Sequence, residues 1–482
     1  MSGEAVGAVG AVAAVDLGAT SGRVVLGRVG PDRLDVEDVH RFPNIPVRTT
    51  DGLHWNILEL YRNVLEGLRK AVAAEPGLAS IGVDSWGVDY ALLRQGRMLS
   101  TPYHYRDGRT ARGVSAVEEV VGAAELYASN GLQFLAFNTL YQLAVDRDEG
   151  LLDESTTMLL VPDLIAFWLT GVQRGERTNA STTGLLDVTT RSWHTPLAAR
   201  LGLPAALLPP LIEPGARIGP LTADVAAELG ARPLDVVAVG SHDTASAVVA
   251  VPMTERDAAY ICSGTWSLIG VESDRPILTE QSRLANFTNE GGVDGRTRYL
   301  RNVMGMWLVN ECVNAWQRDG SRIDLPTLVA RAGEVADYVL FDVEHPSLVA
   351  PGDMPARITD LAPRLRDADR SVVMRSILES LAVAYAETLD ELQRLTRVDI
   401  RTVHIVGGAS QNSLLCQLVA DRSGRRVLAG PVEATATGNI LVQARAAGLL
   451  NGSLEDLRAL VARSSRPAEY VPAGSRTGGA IA

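Results

Sequence analysis

The sequence predicts an α/β protein of two related domains, on three observations. Apolar strands alternate with amphipathic helical stretches along most of the 482 residues. Two glycine-rich hairpins occupy corresponding places in the two halves: Ala13-Ala14-Val15-Asp16-Leu17-Gly18-Ala19-Thr20-Ser21-Gly22-Arg23, and Tyr260-Ile261-Cys262-Ser263-Gly264-Thr265-Trp266-Ser267. The segments after the first hairpin, helices followed by buried strands, are repeated in plan after the second. A chain this long exceeds what one hydrophobic core usually organises. A boundary is therefore expected near Pro252 to Arg256, giving domains 11–251 and 252–482.

In chain order, residues 12–15 and 23–29 read as the strands of the first hairpin. Residues 57–74 read as a helix with Ile57, Leu58, Leu60, Val64, Leu65, Leu68 and Val72 on its buried side. Residues 81–84 and 88–93 read as strands, and 153–217 as irregular and polar at intervals. A buried strand over 235–240 runs through Ser241-His242-Asp243-Thr244 into a helix over 245–251. The second half offers a hairpin over 258–272, a long helix over 371–395, strands over 402–406 and 426–429, and helices over 413–421 and 436–447. The apolar run 5–15 has Glu4 as its only early charge and continues into Asp16, so it reads as a tail plus a strand rather than a signal peptide. The longest uncharged run, 126–145, is interrupted by Asn130, Gln133, Asn138 and Gln142, so no continuous apolar run reaches the roughly 18 residues of a membrane span.

Composition excludes several classes. A net charge of −12 argues against nucleic acid or an anionic membrane as partner, since both are bound through a basic face. Lys70 is the only lysine, and it lies in a helical stretch. A P-loop, a protein-kinase strand lysine and Schiff-base chemistry are thereby all absent. If ATP is bound, backbone amides, hydroxyls, arginine and a metal ion must hold it. Cys262, Cys312 and Cys416 are far apart, which suggests neither a disulfide framework nor a zinc site and fits a reducing, cytoplasmic setting.

Several segments carry candidate chemistry. A turn without bulky side chains lets amides and short hydroxyls converge on a polyanion, and two such turns could hold a triphosphate from both sides; either alone is also an ordinary hairpin. In Ile81-Gly82-Val83-Asp84-Ser85-Trp86-Gly87-Val88-Asp89-Tyr90, backbone at Gly87 could approach a sugar, or the turn is one more hairpin. Tyr103-His104-Tyr105-Arg106-Asp107-Gly108-Arg109 concentrates hydrogen-bonding side chains, as surface loops also do. Asp243 stands just beyond a strand at the start of a helix, where it reads either as a helix cap or as a carboxylate that accepts a proton from a hydroxyl nucleophile during phosphoryl transfer. His242 reads as a substrate ligand or a packed core residue. In His404-Ile405-Val406-Gly407-Gly408-Ala409-Ser410-Gln411-Asn412, the glycines admit a flat base against bare backbone, or simply make a turn.

Taken in order, Asp16-Leu-Gly-Ala-Thr-Ser-Gly-Arg23, Asp84-Ser-Trp-Gly-Val-Asp89, Tyr105-Arg-Asp-Gly-Arg-Thr110, Phe137-Asn-Thr-Leu-Tyr-Gln-Leu143, Ser241-His-Asp-Thr-Ala-Ser-Ala247, Ser263-Gly-Thr-Trp-Ser-Leu268, Asn289-Glu-Gly-Gly292 and Val406-Gly-Gly-Ala-Ser-Gln-Asn412 resemble the FGGY carbohydrate kinases, and among them the branch acting on L-rhamnulose. The resemblance runs from about residue 11 to about residue 449. It implies two actin-like (ribonuclease H-like) domains around a central cleft, with ATP and Mg²⁺ as cofactors and L-rhamnulose phosphorylated at C1 in L-rhamnose breakdown. Asp243 would be the general base, with Gly87, His242, Thr244 and Asn302 touching the sugar. Ala19, Thr20, Ser21, Gly22 and Arg23 would take the ATP phosphates from one side and Thr265 from the other, with Asn310 and Gly408 at the nucleotide and Asp16 holding Mg²⁺ through water.

Two positions depart from the family pattern: Asn310 stands where related sequences often carry Gln, and Ala409 where they carry Gly. Trp86, Phe134 and Phe137 are candidates for the pocket wall, or core. The expected partners are the sugar and MgATP, in a monomer or homodimer. The alternatives are a kinase for another ketose such as L-fuculose or xylulose, or a non-catalytic nucleotide-binding protein of the actin and Hsp70 type. A sugar-responsive regulator of this fold would add a basic helix-turn-helix, which neither terminus shows.

Overall fold

The computed structural model describes residues 9–255 and 257–473. The beginning of the 5–15 run, Arg256 at the expected boundary and residues 474–482 of the expected second domain lie outside the described residues. The described chain divides into two units. One holds the residues up to Thr254 with Glu272–Tyr299 and Ala434–Ser464; the other holds Glu255–Val271, Leu300–Glu433 and the residues from Ser465.

The strands used below are β1 (Gly10–Leu17), β2 (Ser21–Gly30), β3 (Arg33–Pro43), β4 (Ser80–Ser85), β5 (Arg217–Pro220), β6 (Asp235–Val237), β7 (Ala258–Ser263), β8 (Trp266–Ser273), β9 (Thr297–Met304), β10 (Thr402–Val406), β11 (Arg426–Ala429) and β12 (Ala468–Tyr470). The helices are α1 (Ile57–Ala74), α2 (Val161–Thr170), α3 (Asp243–Val249), α4 (Arg370–Thr396), α5 (Ser413–Ser423) and α6 (Ala434–Ala446).

In the first unit six strands lie in the order β5-β6-β4-β1-β2-β3. The hairpin β1–β2 is antiparallel, whereas β4 runs parallel to both β1 and β6. Parallel neighbours need a crossover, and α1 lies on the one that leads into β4. Its Leu60, Val64, Leu68 and Ala71 enter the core with Val15, Val24 and Val83. Gly67 allows the close approach, because a Cβ there would sit 2.3 Å from the Val24 side chain. Leu58, expected on the buried side, is exposed: one residue on from Ile57 turns it about 100° away from the core-facing stripe.

The stretch 153–217 is regular in its first part and consists of short pieces joined by loops beyond Thr170. A strand over Thr156–Leu160 leads directly into α2, whose Leu164, Ile165 and Leu169 are fully buried. Pro162 in the first turn and a left-handed Gly171 at the end bound α2, but an apolar run buried on most sides lacks the amphipathic period that marks a surface helix.

Helix α6 also belongs to the first unit, packed on α3, β1 and β4. The α3–α6 approach depends on Gly438, where a Cβ would lie 1.7 Å from the Ser246 carbonyl oxygen.

The second unit repeats the plan: its strands run β9-β8-β7-β10-β11-β12, with β7–β8 an antiparallel hairpin and β10 parallel to both β7 and β11. Helix α4 buries Met374, Ile377, Leu381, Tyr385 and Leu389, and the Asp369 side chain caps it by accepting from the Ser371 N–H at 2.8 Å. Among the described residues no helix is long and apolar enough to cross a membrane.

Candidate active site

The first hairpin closes tightly, the Gly18 N–H donating to the Ser21 carbonyl at 2.8 Å. Sequence reasoning missed Asn44, whose side-chain amide donates to the Gly18 carbonyl at 2.9 Å and whose backbone N–H donates to the Thr20 carbonyl at 3.0 Å. The tip faces outward: Thr20 is exposed, and Ala19 and Ser21 are half-buried. Gly22 is buried, and a Cβ there would lie 2.4 Å from the Phe42 ring, so packing alone requires this glycine. Arg23 turns back on Asp16, donating from Nε at 2.8 Å and Nη2 at 2.7 Å to Oδ2.

Asp16 is paired in register with Asp84 on the neighbouring parallel strand. Asp84 is completely buried, its Oδ2 accepts from the Asn439 amide at 2.6 Å, and its Oδ1 has no hydrogen-bond partner among the described residues. Burial pushes its carboxyl well above the ordinary range, the charges of Asp16 and Asp243 add to this, and the Asn439 hydrogen bond opposes it.

Asp243 opens α3. The cap position belongs to His242, which makes no side-chain capping bond. The Asp243 Oδ1 accepts from the Thr244 hydroxyl at 3.0 Å, and the side chain is 31% accessible. Burial raises its carboxyl, the Asp16 charge adds to this, and His242 opposes it. A partly accessible carboxylate held above its ordinary range is the type of group that can accept a proton from a hydroxyl.

The strand ends fix this corner, because Ser85 bridges to His242 and its N–H donates to the Ser241 carbonyl at 2.9 Å. Ser241 in turn donates from backbone N (3.0 Å) and Oγ (2.8 Å) to the buried Glu176. The His242 ring lies with Nε2 3.6 Å from Asp243 Oδ1, and Nδ1 3.2 Å from Glu290 Oε2 and 3.0 Å from Arg298 Nη2.

Gly87 lies in a strained turn, since the next residue, Val88, has φ of 69°, a left-handed conformation disfavoured for a β-branched side chain. The turn is held by the Thr182 hydroxyl, which accepts from Val88 N–H at 3.2 Å, and by the Thr139 hydroxyl, which donates to the Val88 carbonyl at 2.7 Å. Beneath it the buried Asp89 accepts from Trp55 (2.6 Å) and Trp86 (3.1 Å) indoles, the Tyr105 N–H (3.1 Å) and the Gln142 amide (3.0 Å). The motifs at 105–110 and 137–143 thus brace this turn. Trp86 is buried, Phe137 packs on the same core, and Phe134 is exposed.

In the second unit the hairpin turn closes through Gly264 N–H to the Trp266 carbonyl at 2.8 Å, leaving Thr265 half-exposed. Gly305 lies flat against it, with Met306 N–H donating to the Gly264 carbonyl at 2.9 Å. A hydroxyl chain runs under the hairpin, from Ser263 to Ser267 (2.7 Å) to Tyr385 of α4 (2.5 Å). Gly407 has φ of 86° and a Cβ there would lie 2.9 Å from the Ser263 carbonyl, whereas Gly408 borders open space. Ala409 is buried. Asn302 lies on β9 and Asn310 is exposed on the helix Trp307–Arg318.

Models of the FGGY family of carbohydrate kinases match this sequence twice, the N-terminal domain over residues 11–250 and the C-terminal domain over 259–447. The chain is 38% identical over 466 residues to a rhamnulokinase of Bacteroides thetaiotaomicron, covering 95% of each chain. It is 42% identical over 449 residues to a rhamnulokinase of Pectobacterium atrosepticum, covering 91% of this chain and 88% of that one. Among solved structures it is similar to ligand-bound xylulose kinase from Lactobacillus acidophilus, with a TM-score of 0.80 at 16% identity over 96% of this chain and 94% of that one. Plasmodium falciparum glycerol kinase with ADP follows at 0.75 and 14%, over 96% and 94%. At these identities the structural likenesses show a shared fold, the two-domain actin-like one.

Proposed function

Because the chain belongs to the FGGY family of carbohydrate kinases, we propose that it transfers the terminal phosphoryl group of ATP to the C1 hydroxyl of L-rhamnulose, giving L-rhamnulose 1-phosphate and ADP. One observation carries the choice of sugar: two relatives named rhamnulokinase match nearly the whole chain at 38% and 42% identity. The reading places the protein in L-rhamnose breakdown in the cytoplasm, as a monomer or homodimer.

In this reading Asp243 accepts the C1 hydroxyl proton as that oxygen bonds to the γ-phosphorus and the bond to the ADP oxygen breaks. Its raised carboxyl suits the task. Gly87, His242, Thr244 and Asn302 orient the ketose. The amides and hydroxyls of Ala19 to Gly22 receive the phosphates, with Thr265, Gly408 and Asn310 on the nucleotide side. Arg23 supplies positive charge while paired to Asp16. The functional division follows residues 11–251 and 252–482, with the segment 272–299 lending groups to the sugar side.

Mg²⁺ fits the residues present. Asp16, Asp84 and Asp243 repel one another and Asp84 keeps a buried oxygen without a partner, yet no group of three or more ligating side chains converges among the described residues. Asp16 would therefore hold the ion through its water shell, and the ion would supply the positive charge that balances the phosphate oxygens.

The test is ADP release with L-rhamnulose against L-fuculose and xylulose. The expected result is a kcat/KM for L-rhamnulose at least about tenfold above either, as a well-placed hydrogen bond or apolar contact provides. Preference for another ketose would move the assignment within the family, and no ketose-dependent ADP release would end it.

A further inference from the structure

We propose that Glu290 and Arg298 form a buried positioning pair that fixes the ring of His242 with its proton on Nε2, so that a hydrogen-bond donor faces the ketose beside Asp243. The proposal rests on the ketose reading above.

Three atoms make a triangle: His242 Nδ1, Glu290 Oε2 and Arg298 Nη2, at 3.2, 3.0 and 3.1 Å. A guanidinium nitrogen only donates, and a carboxylate only accepts. Nη2 therefore donates its hydrogen bond to His242 Nδ1, while its contact with Glu290 Oε2 is an ion pair. A ring nitrogen that accepts carries no proton, and the proton of the neutral imidazole must then sit on Nε2. That nitrogen lies 3.6 Å from Asp243 Oδ1, on the side where a sugar hydroxyl beside the base would be found.

Burial makes the arrangement decisive rather than incidental. Arg298 has no accessible surface, Glu290 is 5% accessible and the His242 side chain 9%. A lone guanidinium at such a place would be costly, and Glu290 neutralises it. Arg298 is itself anchored by Nε donating to the Gly291 carbonyl at 2.8 Å, and the Gly291 N–H donates to the Ser181 hydroxyl at 2.7 Å. The charged groups against the ring are thus Asp243 at Nε2 and Glu290 with Arg298 at Nδ1. Loss of a positioning residue of this kind raises the substrate KM through the group it holds.

The test uses the full chain labelled with ¹⁵N-histidine, the His242 signals being those lost in His242→Gln. The wild type is expected to show protonated Nε2 and bare Nδ1. Arg298→Met should mix the tautomers and raise the ketose KM about tenfold, with the KM for ATP within about twofold, as for loss of one hydrogen bond to a charged group. Arg298→Lys, which keeps a donor, should restore part of both. Combining Arg298→Met with His242→Gln should cost no more than His242→Gln alone. A proton on Nδ1 in the wild type would overturn the proposal, and so would additive losses. If Arg298→Met does not fold, the wild-type spectrum decides. The tautomer is read without any sugar, so a failure of the ketose assay is distinguishable from a failure of the pair.

Discussion

Asp16 and Asp84 stand directly opposite one another in the parallel pairing of β1 with β4. Burial raises the Asp84 carboxyl, and the Asp16 charge in register beside it adds to that rise, as it does at Asp243 where the neighbouring helix begins.

Replacing Asp84 by Asn keeps an acceptor for the Asn439 amide and removes the buried charge. The folded state holds the Asp84 proton more tightly than the unfolded chain does, so ionisation at neutral pH costs stability in the wild type. Asp84→Asn should therefore be more stable at pH 7 by about 1–2 kcal/mol in urea unfolding, and the gain should shrink as the pH falls into the carboxylate range. A less stable variant at pH 7 would show that the hydrogen bond from Asn439 outweighs repulsion.

Gly305→Ala should damage the nucleotide side selectively. Its Cβ would lie 2.7 to 2.9 Å from backbone atoms of Gly264, Thr265 and Trp266, and backbone cannot yield as a side-chain tip can. The hairpin must shift, and an error of about 1 Å at a phosphate-holding turn costs on the order of tenfold or more. Steady-state kinetics should show a raised KM for ATP with the ketose KM nearly unchanged. An unaltered ATP KM would remove this hairpin from the phosphate site.

The Trp55 stack gives a pH dependence. His104 lies 4.0 Å from Trp55, centroid to centroid, and burial, aided by the Arg106 charge, pushes its pKa down to about 3. Below the unfolded value of about 6.5 the unfolded chain takes up a proton that the folded protein refuses, so stability is lost as the pH falls. Asp89 acts with the opposite sign: burial pushes it up to about 6, and stability rises as the pH drops below that value. Between pH 7 and pH 5 the wild type should lose about 2 kcal/mol more than His104→Gln and less than Asp89→Asn. Parallel curves for wild type and His104→Gln would contradict the buried, neutral imidazole.

Local features of the fold were legible in the sequence. The helix at 57–74 and the strands at 402–406 and 426–429 appear with the expected limits, because apolar periodicity and turn residues act within a few residues of one another. The long helix extends one residue further at each end than expected, where Asp369 caps it. Asp243 proved to lie inside its helix rather than before it, because the cap fell to His242.

Distant partners were not legible. Asn44, Glu176, Asn439, Glu290 and Arg298 each act on residues far along the chain, and nothing local to an asparagine or glutamate states which strand end it will meet. The same holds for α6, whose sequence gives a helix but not the sheet it covers. At Gly22, conversely, the motif was plain but the reason is the ring of Phe42.

The central claim, that Asp243 accepts the proton of the sugar hydroxyl, is tested most directly by steady-state kinetics of Asp243→Asn with L-rhamnulose and ATP. General-base catalysis contributes about 10²–10⁴-fold, so kcat should fall by that range while the KM for ATP stays within about twofold and the thermal unfolding midpoint does not drop. A variant that keeps wild-type kcat would contradict the assignment.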